Sequence, residues 1–388
     1  MKVQTKISLT EVIKNSLLLN QFTTVFNVPG YGGTEVLEKL KGEKKLKVFV
    51  NLNEEAAFSI SYGVSANGKR SALLIKSQGF AKAMNAVTSS LSTDINSANL
   101  IFIFDDTEGI SSDNILPTES IVRSSEIPYI VLGKNPAREI AEGIKISDKL
   151  KLPVALIIDC KALNDLHHKK LFKVALGKIK DIPLEHRVAC PVLTKYQRAR
   201  LENKLKNKNK NKKVMTPVLT DIREILPPRL CAELSRYDKF IQVFKKYRPS
   251  FVSGDAGTST LFAFAPFHCV DTCTYMGGAP GMAIGAMLAG KSDAIGVTGD
   301  FSFFAAGILG FNEAVMHEIP LKLIIFNNGK AHATGGQKLN PQLFNHFKRA
   351  YKEYVFTLKL KNIGVPEIRS HLLKFLRQKK LSILVLEI

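Results

Sequence analysis

Short apolar-rich runs alternate with amphipathic stretches through the first 165 residues. The runs are 24–28, 46–50, 72–75, 100–104, 129–132 and 154–158. A short apolar run without polar alternation is what a strand buried on both faces requires. Between the runs, 33–40, 54–66 and 136–150 have helical character. This alternation predicts a doubly wound α/β domain with a parallel sheet. The pattern breaks over 166–247, which holds the pair His167 and His168, several prolines and a basic stretch, with helix predicted over 228–246. It resumes at 248, where 250–253, 293–298, 322–326 and 382–388 read as strands. The predicted fold is α/β: two doubly wound parallel-sheet domains, 1–165 and 248–388, joined by a basic linker over 166–247. No internal repeat is legible between the two halves.

The 388 residues are 45 % hydrophobic, enough for two cores and too many for a disordered chain. No apolar run approaches the ~18 residues of a membrane span. The first residues lack the apolar core of a signal peptide, so a cytoplasmic protein without membrane contact is expected. Cys160, Cys190, Cys231, Cys269 and Cys273 are scattered and form no CxxC. That argues against a disulfide framework, a zinc ribbon and an iron–sulfur cluster in this chain. Fifty-five basic residues against 34 acidic ones give a net charge of +21. Residues 195–213 contribute seven Lys, two Arg and a single Glu. They are expected to form a solvated linker with weak polyanion binding. Tyr196 is their only aromatic residue, and no helix-turn-helix or zinc-finger spacing accompanies them, so sequence-specific nucleic-acid recognition is not indicated.

The strongest chemical signal is 294–330, AIGVTGDFSFFAAGILGFNEAVMHEIPLKLIIFNNGK. One strand-like run ends in Gly299 and Asp300, a helix-like segment covers 304–317, and a second run ends in Asn327, Asn328 and Gly329. Asp300 and Asn328 therefore fall at the carboxyl ends of two strands, the edge where open α/β sheets place ligands. A carboxylate, an amide oxygen and a free backbone carbonyl are hard oxygen donors suited to Mg²⁺. GD followed by NN at this spacing resembles the metal motif of thiamin diphosphate-dependent enzymes. The resemblance implies Asp300, Asn328 and the backbone carbonyl of Lys330 as Mg²⁺ ligands, with Gly299 and Phe301 beside the cofactor. Phe301 stands where the family has a glycine.

Residues 275–289, YMGGAPGMAIGAMLA, resemble the glycine-rich segment that precedes GD in the family. This implies Met276, followed by Gly277, as an apolar wedge under the cofactor; a core methionine is the alternative. Gly254, Asp255 and Gly257, in GDAG after a strand, resemble the first diphosphate-side loop. In the first domain 53–68, NEEAAFSISYGVSANG, resembles the pyrimidine-side segment. It implies Glu54 as the catalytic carboxyl, hydrogen-bonded to the cofactor's pyrimidine nitrogen, with Glu55 as the adjacent competitor. Both could instead be acidic residues favoured in the first turn of a helix. Pro29 and Gly30, closing the first strand, resemble the entry loop of this domain. Gln78, Gly79 and Asn85, in the stretch 76–87, resemble a small-residue loop near cofactor and substrate, or are turn and cap residues. The halves thus resemble pyrimidine-binding and diphosphate- and Mg²⁺-binding domains.

Thr334, in the TGGQ that follows the metal motif, resembles 2-oxoacid:ferredoxin oxidoreductases. The chain is most similar to the large subunit of indolepyruvate ferredoxin oxidoreductase, over 21–158 and 251–337. That implies a 2-oxoacid substrate, oxidative decarboxylation, and a homodimer or larger assembly in which two half-sites meet across subunits. The ferredoxin-like tail of that subunit is not matched, so electrons are expected to pass to a separate electron-transfer subunit or ferredoxin. Two alternatives stay open. One is a non-oxidative decarboxylase of sulfopyruvate or phosphonopyruvate type. The other is a non-catalytic protein of this cofactor fold that binds an anionic partner.

Overall fold

The computed structural model describes residues 6–206, 214–217 and 221–388. The chain forms two compact units, Met1–Ile182 with Arg200–Asn211, and Pro183–Ala199 with Lys212–Ile388. In the first unit six strands lie side by side in the order Lys47–Val50, Phe22–Asn27, Arg70–Lys76, Asn99–Asp105, Val154–Asp159 and Tyr129–Val131. Every pairing among them is parallel. Residues 100–104 and 154–158 are almost wholly inaccessible, the burial on both faces that their unbroken apolar runs predict. Helices Leu9–Leu19, Gly33–Leu40 and Pro136–Leu150 share one core with the sheet. Helix Glu54–Ala66 is tied to the sheet by polar contacts. Asn99 Nδ2 donates to the hydroxyls of Ser61, Ser71 and Ser65 at 2.8, 3.0 and 3.2 Å.

The second unit repeats this plan. Its strands lie in the order Thr272–Cys273, Val252–Gly254, Ile295–Gly299, Lys322–Asn327, Ser382–Glu387 and Val355–Lys359, again all parallel. Counted along the chain, both sheets run 2-1-3-4-6-5, although the sequence shows no repeat. In each, the direction of winding changes between the first and third strands. That switch point is where doubly wound sheets open a crevice at their carboxyl edge.

Three expectations need correction. Much of 166–247 is part of the second unit rather than a linker. Val188, Cys190, Leu193, Ile222, Leu234, Tyr237 and Phe240 are buried in the core of that unit. The predicted helix over 228–246 is two helices, Pro228–Ser235 and Asp238–Tyr247. The basic stretch is also more than a solvated connection: Thr194–Leu205 is a helix, and 207–213 lie outside the described residues. Helical spacing puts residues 200, 201 and 204 on one face. Arg200 and Lys204 both grip Asp94, at 2.7 and 2.5 Å, and Leu201, 6 % exposed, packs with Leu91 and Leu152. Two of the basic residues are thereby engaged within the chain, not offered to a polyanion. Leu201→Ala should cost about 2 kcal/mol of stability. A melting temperature equal to the wild type would restore the linker reading. All five cysteines are free. No helix among the described residues is long and apolar enough to cross a membrane.

Candidate functional site

In the second unit, two adjacent strands deliver the metal-motif residues at their carboxyl ends. Asp300 follows Ile295–Gly299, while Asn328 and Lys330 follow Lys322–Asn327. Asp300 is 2 % exposed, and its carboxylate accepts the N–H groups of Phe301 at 2.7 Å and Gly329 at 2.6 Å. Burial pushes its carboxyl up to about 6, against the pull of those donors. Asn328 donates an Nδ2–H to Glu233 Oε1 at 2.8 Å and accepts the Lys330 N–H on Oδ1 at 3.1 Å. The loop that carries Asn328 is thus tied to Asp300, because the N–H of Gly329, the residue after Asn328, binds the Asp300 carboxylate. A desolvated carboxylate beside an amide oxygen with a spare lone pair fits a hard cation such as Mg²⁺.

The residues expected on the diphosphate side line the switch point of the same sheet. The backbone there is bare. A Cβ at Gly299 would meet nothing within 4 Å, and one at Gly257 would meet only Ser302 Oγ at 4.0 Å. Uncovered backbone at strand ends is a cradle that phosphate groups can enter. Gly254 has a different reason to be glycine: a Cβ would meet Cys273 Sγ at 2.8 Å and Val270 Cγ1 at 2.9 Å, so packing excludes a side chain. Asp255 is fully buried. Its carboxylate accepts Thr298 Oγ1–H at 2.6 Å, Gly277 N–H at 2.9 Å and Ser259 Oγ–H at 3.1 Å. It ties three segments of the switch point together.

Met276 is 41 % exposed and so is not a core methionine. Gly277 explains why it stands out. Its φ is +92°, and a Cβ would lie 2.5 Å from Gly307 N, so the chain presses backbone to backbone against the π-helical turn Phe303–Gly307. Phe301 is half-buried beside Asp300, and Thr334 is exposed in the single turn His332–Thr334.

Burial pushes the Asp255 carboxyl up to about 7, above its ordinary 3.8, although its hydrogen-bond donors pull it down. A raised carboxyl contributes its full stability below the unfolded value and loses it as pH climbs through the folded one. The melting-temperature advantage of the natural chain over Asp255→Asn should therefore shrink between about pH 4 and about pH 8. An advantage that grows with pH would contradict this sign.

In the first unit, Glu54 opens helix Glu54–Ala66, which Asn53 caps by accepting the N–H groups of Glu55 and Ala56. Glu54 lines a cavity of about 150 Å³ with Val28, Pro29, Lys76, Gln78, Gly79 and Asp113. This cavity sits at the corresponding switch point, between the ends of Phe22–Asn27 and Arg70–Lys76. The Glu54 side chain is 15 % exposed; Oε2 lies 3.1 Å from Lys82 Nζ but makes no aligned hydrogen bond. Gln78 Oε1 is likewise buried without a hydrogen-bond partner. Two such acceptors around one cavity fit a ligand that brings donors. A Cβ at Gly79 would stand 2.9 Å from Glu54 Cγ, so the glycine makes room for this carboxylate.

The competitor Glu55 is engaged elsewhere, accepting Asn85 Nδ2–H at 2.9 Å. Asn85 therefore belongs with Glu55 and does not line the cavity. Gly30 lies against the Lys76 stem. The stretch 76–87 is not a loop: Gln78, Gly79 and Asn85 lie on helix Ser77–Ser90. A larger cleft of about 380 Å³, lined by Lys134, Asn135, His167, His168, Lys169 and Lys170, contains none of the residues singled out for chemistry.

Sequence reasoning missed Lys76 and Asp113 at the cavity, and Glu233 behind Asn328. Lys76 opens the stretch 76–87 without having been singled out in it, whereas Asp113 and Glu233 lie outside the matching motifs and only the fold brings them in.

Comparison with known proteins points one way. Residues 255–369 match the family described as thiamine pyrophosphate enzyme, C-terminal TPP binding domain. A curated relative is indolepyruvate oxidoreductase subunit IorA of Pyrococcus abyssi, 28 % identical over 134 residues. That alignment covers 30 % of this chain and 21 % of the relative, so the chain matches about a fifth of that protein's length. The crystal structure of a candidate thiamin diphosphate-dependent enzyme from Mycobacterium smegmatis superposes with a TM-score of 0.65 and 14 % identity. It covers 98 % of this chain and 99 % of the other. At that identity the likeness is one of fold.

Proposed function

We propose that this chain, a member of the thiamin diphosphate-dependent enzyme family, binds its cofactor with Mg²⁺ and acts on a 2-oxoacid by oxidative decarboxylation. The observation that carries the reading is the loop pair at the second unit's sheet edge. There Asp300 is buried on two N–H groups, and the amide oxygen of Asn328 accepts one N–H and keeps a lone pair over. Asp300, Asn328 Oδ1 and the Lys330 carbonyl would hold the metal, and the bare backbone at Gly257 and Gly299 would face the diphosphate. When bound, the cofactor supplies the electron sink for loss of CO₂. Glu54 would hold a proton at its carboxyl in the first unit's cavity, where burial and the clearance at Gly79 keep it in one place.

The name of the Pyrococcus relative supports the oxidative branch. In this reading a separate electron-transfer subunit or ferredoxin takes the electrons, coenzyme A takes the acyl group, and two copies of the chain complete each site. The test has two stages. Calorimetry should detect thiamin diphosphate binding that requires Mg²⁺. Purified protein should then release CO₂ from members of a 2-oxoacid panel only when ferredoxin, coenzyme A and the partner subunit are supplied. Release without an electron acceptor would move the protein to the non-oxidative decarboxylases. Absence of cofactor binding would end the reading.

A further inference from the structure

Glu233 sits on helix Pro228–Ser235, 95 residues before Asn328, and is 3 % exposed. A carboxylate buried that deeply is retained only if other groups satisfy it. Its Oε1 accepts Asn328 Nδ2–H at 2.8 Å. Its Oε2 lies 3.8 Å from His332 Nδ1 and 3.8 Å from Arg236 Nη1. His332 Nε2 also lies 3.4 Å from the Arg229 carbonyl oxygen, so the same short helix holds the loop beyond Lys330 as well. Glu233 thus braces the metal loop on both sides of Lys330.

A side-chain amide has an oxygen end and a nitrogen end of nearly equal size, and only the oxygen can bind a cation. Left to itself, an asparagine can present either. The nitrogen end of Asn328 is the one that meets Glu233, donating to Oε1 at 2.8 Å. The oxygen must then face the other way, where the Lys330 N–H takes one lone pair at 3.1 Å and leaves one over.

We infer that Glu233 is a positioning residue that fixes the Asn328 amide with its oxygen available to the metal. The inference rests on the reading of Asp300, Asn328 and Lys330 as a Mg²⁺ site. It goes beyond that reading by assigning a required role to a residue outside the motif.

Titration of Mg²⁺ in the presence of thiamin diphosphate, followed by calorimetry, tests it without recourse to turnover. Glu233→Leu should weaken Mg²⁺ by about 10- to 100-fold, the usual cost of losing a group that orients a metal ligand. Glu233→Gln can still accept from Asn328 and should stay within several-fold of the natural chain. A folded Glu233→Leu that binds Mg²⁺ like the natural chain overturns the inference while leaving the site reading intact. A natural chain that binds no Mg²⁺ overturns both.

A second pair decides the matter if Glu233→Leu fails to fold. Asn328→Asp sets two carboxylates against each other and should weaken Mg²⁺. Adding Glu233→Gln restores a donor between them and should recover affinity. A role confined to filling space predicts no recovery, and that result would also overturn the inference.

Discussion

Asp300→Ala should yield a folded protein that has lost Mg²⁺ and, with it, thiamin diphosphate. The two expectations have separate physical grounds. The fold should survive because Asp300 makes no side-chain ion pair in the described structure; it accepts two backbone N–H groups at a sheet edge. Those N–H groups lose a partner, but the cost of keeping a carboxylate out of water disappears at the same time, and the two changes oppose each other. Binding should fail because this is the only carboxylate in the metal motif. Asn328 Oδ1 and a backbone carbonyl are neutral and hold Mg²⁺ poorly on their own. A loss of at least about 100-fold in metal-dependent cofactor affinity is expected, larger than the cost of removing an orienting group. Calorimetry that finds unchanged thiamin diphosphate affinity in Asp300→Ala would remove Asp300 from the site. A melting temperature far below that of the natural chain would show that its role is structural.

The parts of this protein that could be read from sequence are those whose signal is local. Residues 100–104 and 154–158 announce buried strands because burial on both faces demands unbroken apolar runs. Asp300 and Asn328 stand out because each strand end and the motif residues that follow it are contiguous in the chain. The shared 2-1-3-4-6-5 order could not be read, since strand neighbours are chosen by non-local packing. Some strands in the second sheet, such as Thr272–Cys273, are also too short to carry a pattern. Helix Thr194–Leu205 was hidden by its polar, basic composition and by the Lys- and Asn-rich run that follows it. Its attachment depends on three residues of one face meeting Asp94 and two leucines far away in sequence. Glu233 was invisible for the same reason: what makes it notable is a hydrogen bond across 95 residues. Met276 could be read as wedge or core, and its exposure removes the core reading alone. What stayed hidden follows from contacts rather than from residue types.

Glu54→Gln should fail at a different step from Asp300→Ala. Glutamine keeps the shape of Glu54, its clearance from Gly79 and a hydrogen-bonding end, so thiamin diphosphate should still bind with Mg²⁺. What is lost is the proton that a carboxyl can hold and release, an effect worth about 10²- to 10⁴-fold in rate. Exchange of the cofactor's C2 proton with deuterium should slow by at least about 100-fold, a readout that needs neither substrate nor electron acceptor. The two lesions lie in different units of the chain, Glu54 in the first and Asp300 in the second. If each site draws Glu54 from one copy and Asp300 from another, the two inactive variants should rescue each other when unfolded, mixed and refolded together. A mixed dimer then holds one site with both lesions and one with neither, giving up to half the natural activity per dimer. If both residues served the same site from one copy, no mixed dimer would contain an intact site and mixing would recover nothing. Active protein that sediments as a monomer would exclude the shared site, and wild-type C2 exchange in Glu54→Gln would remove Glu54 from the chemistry.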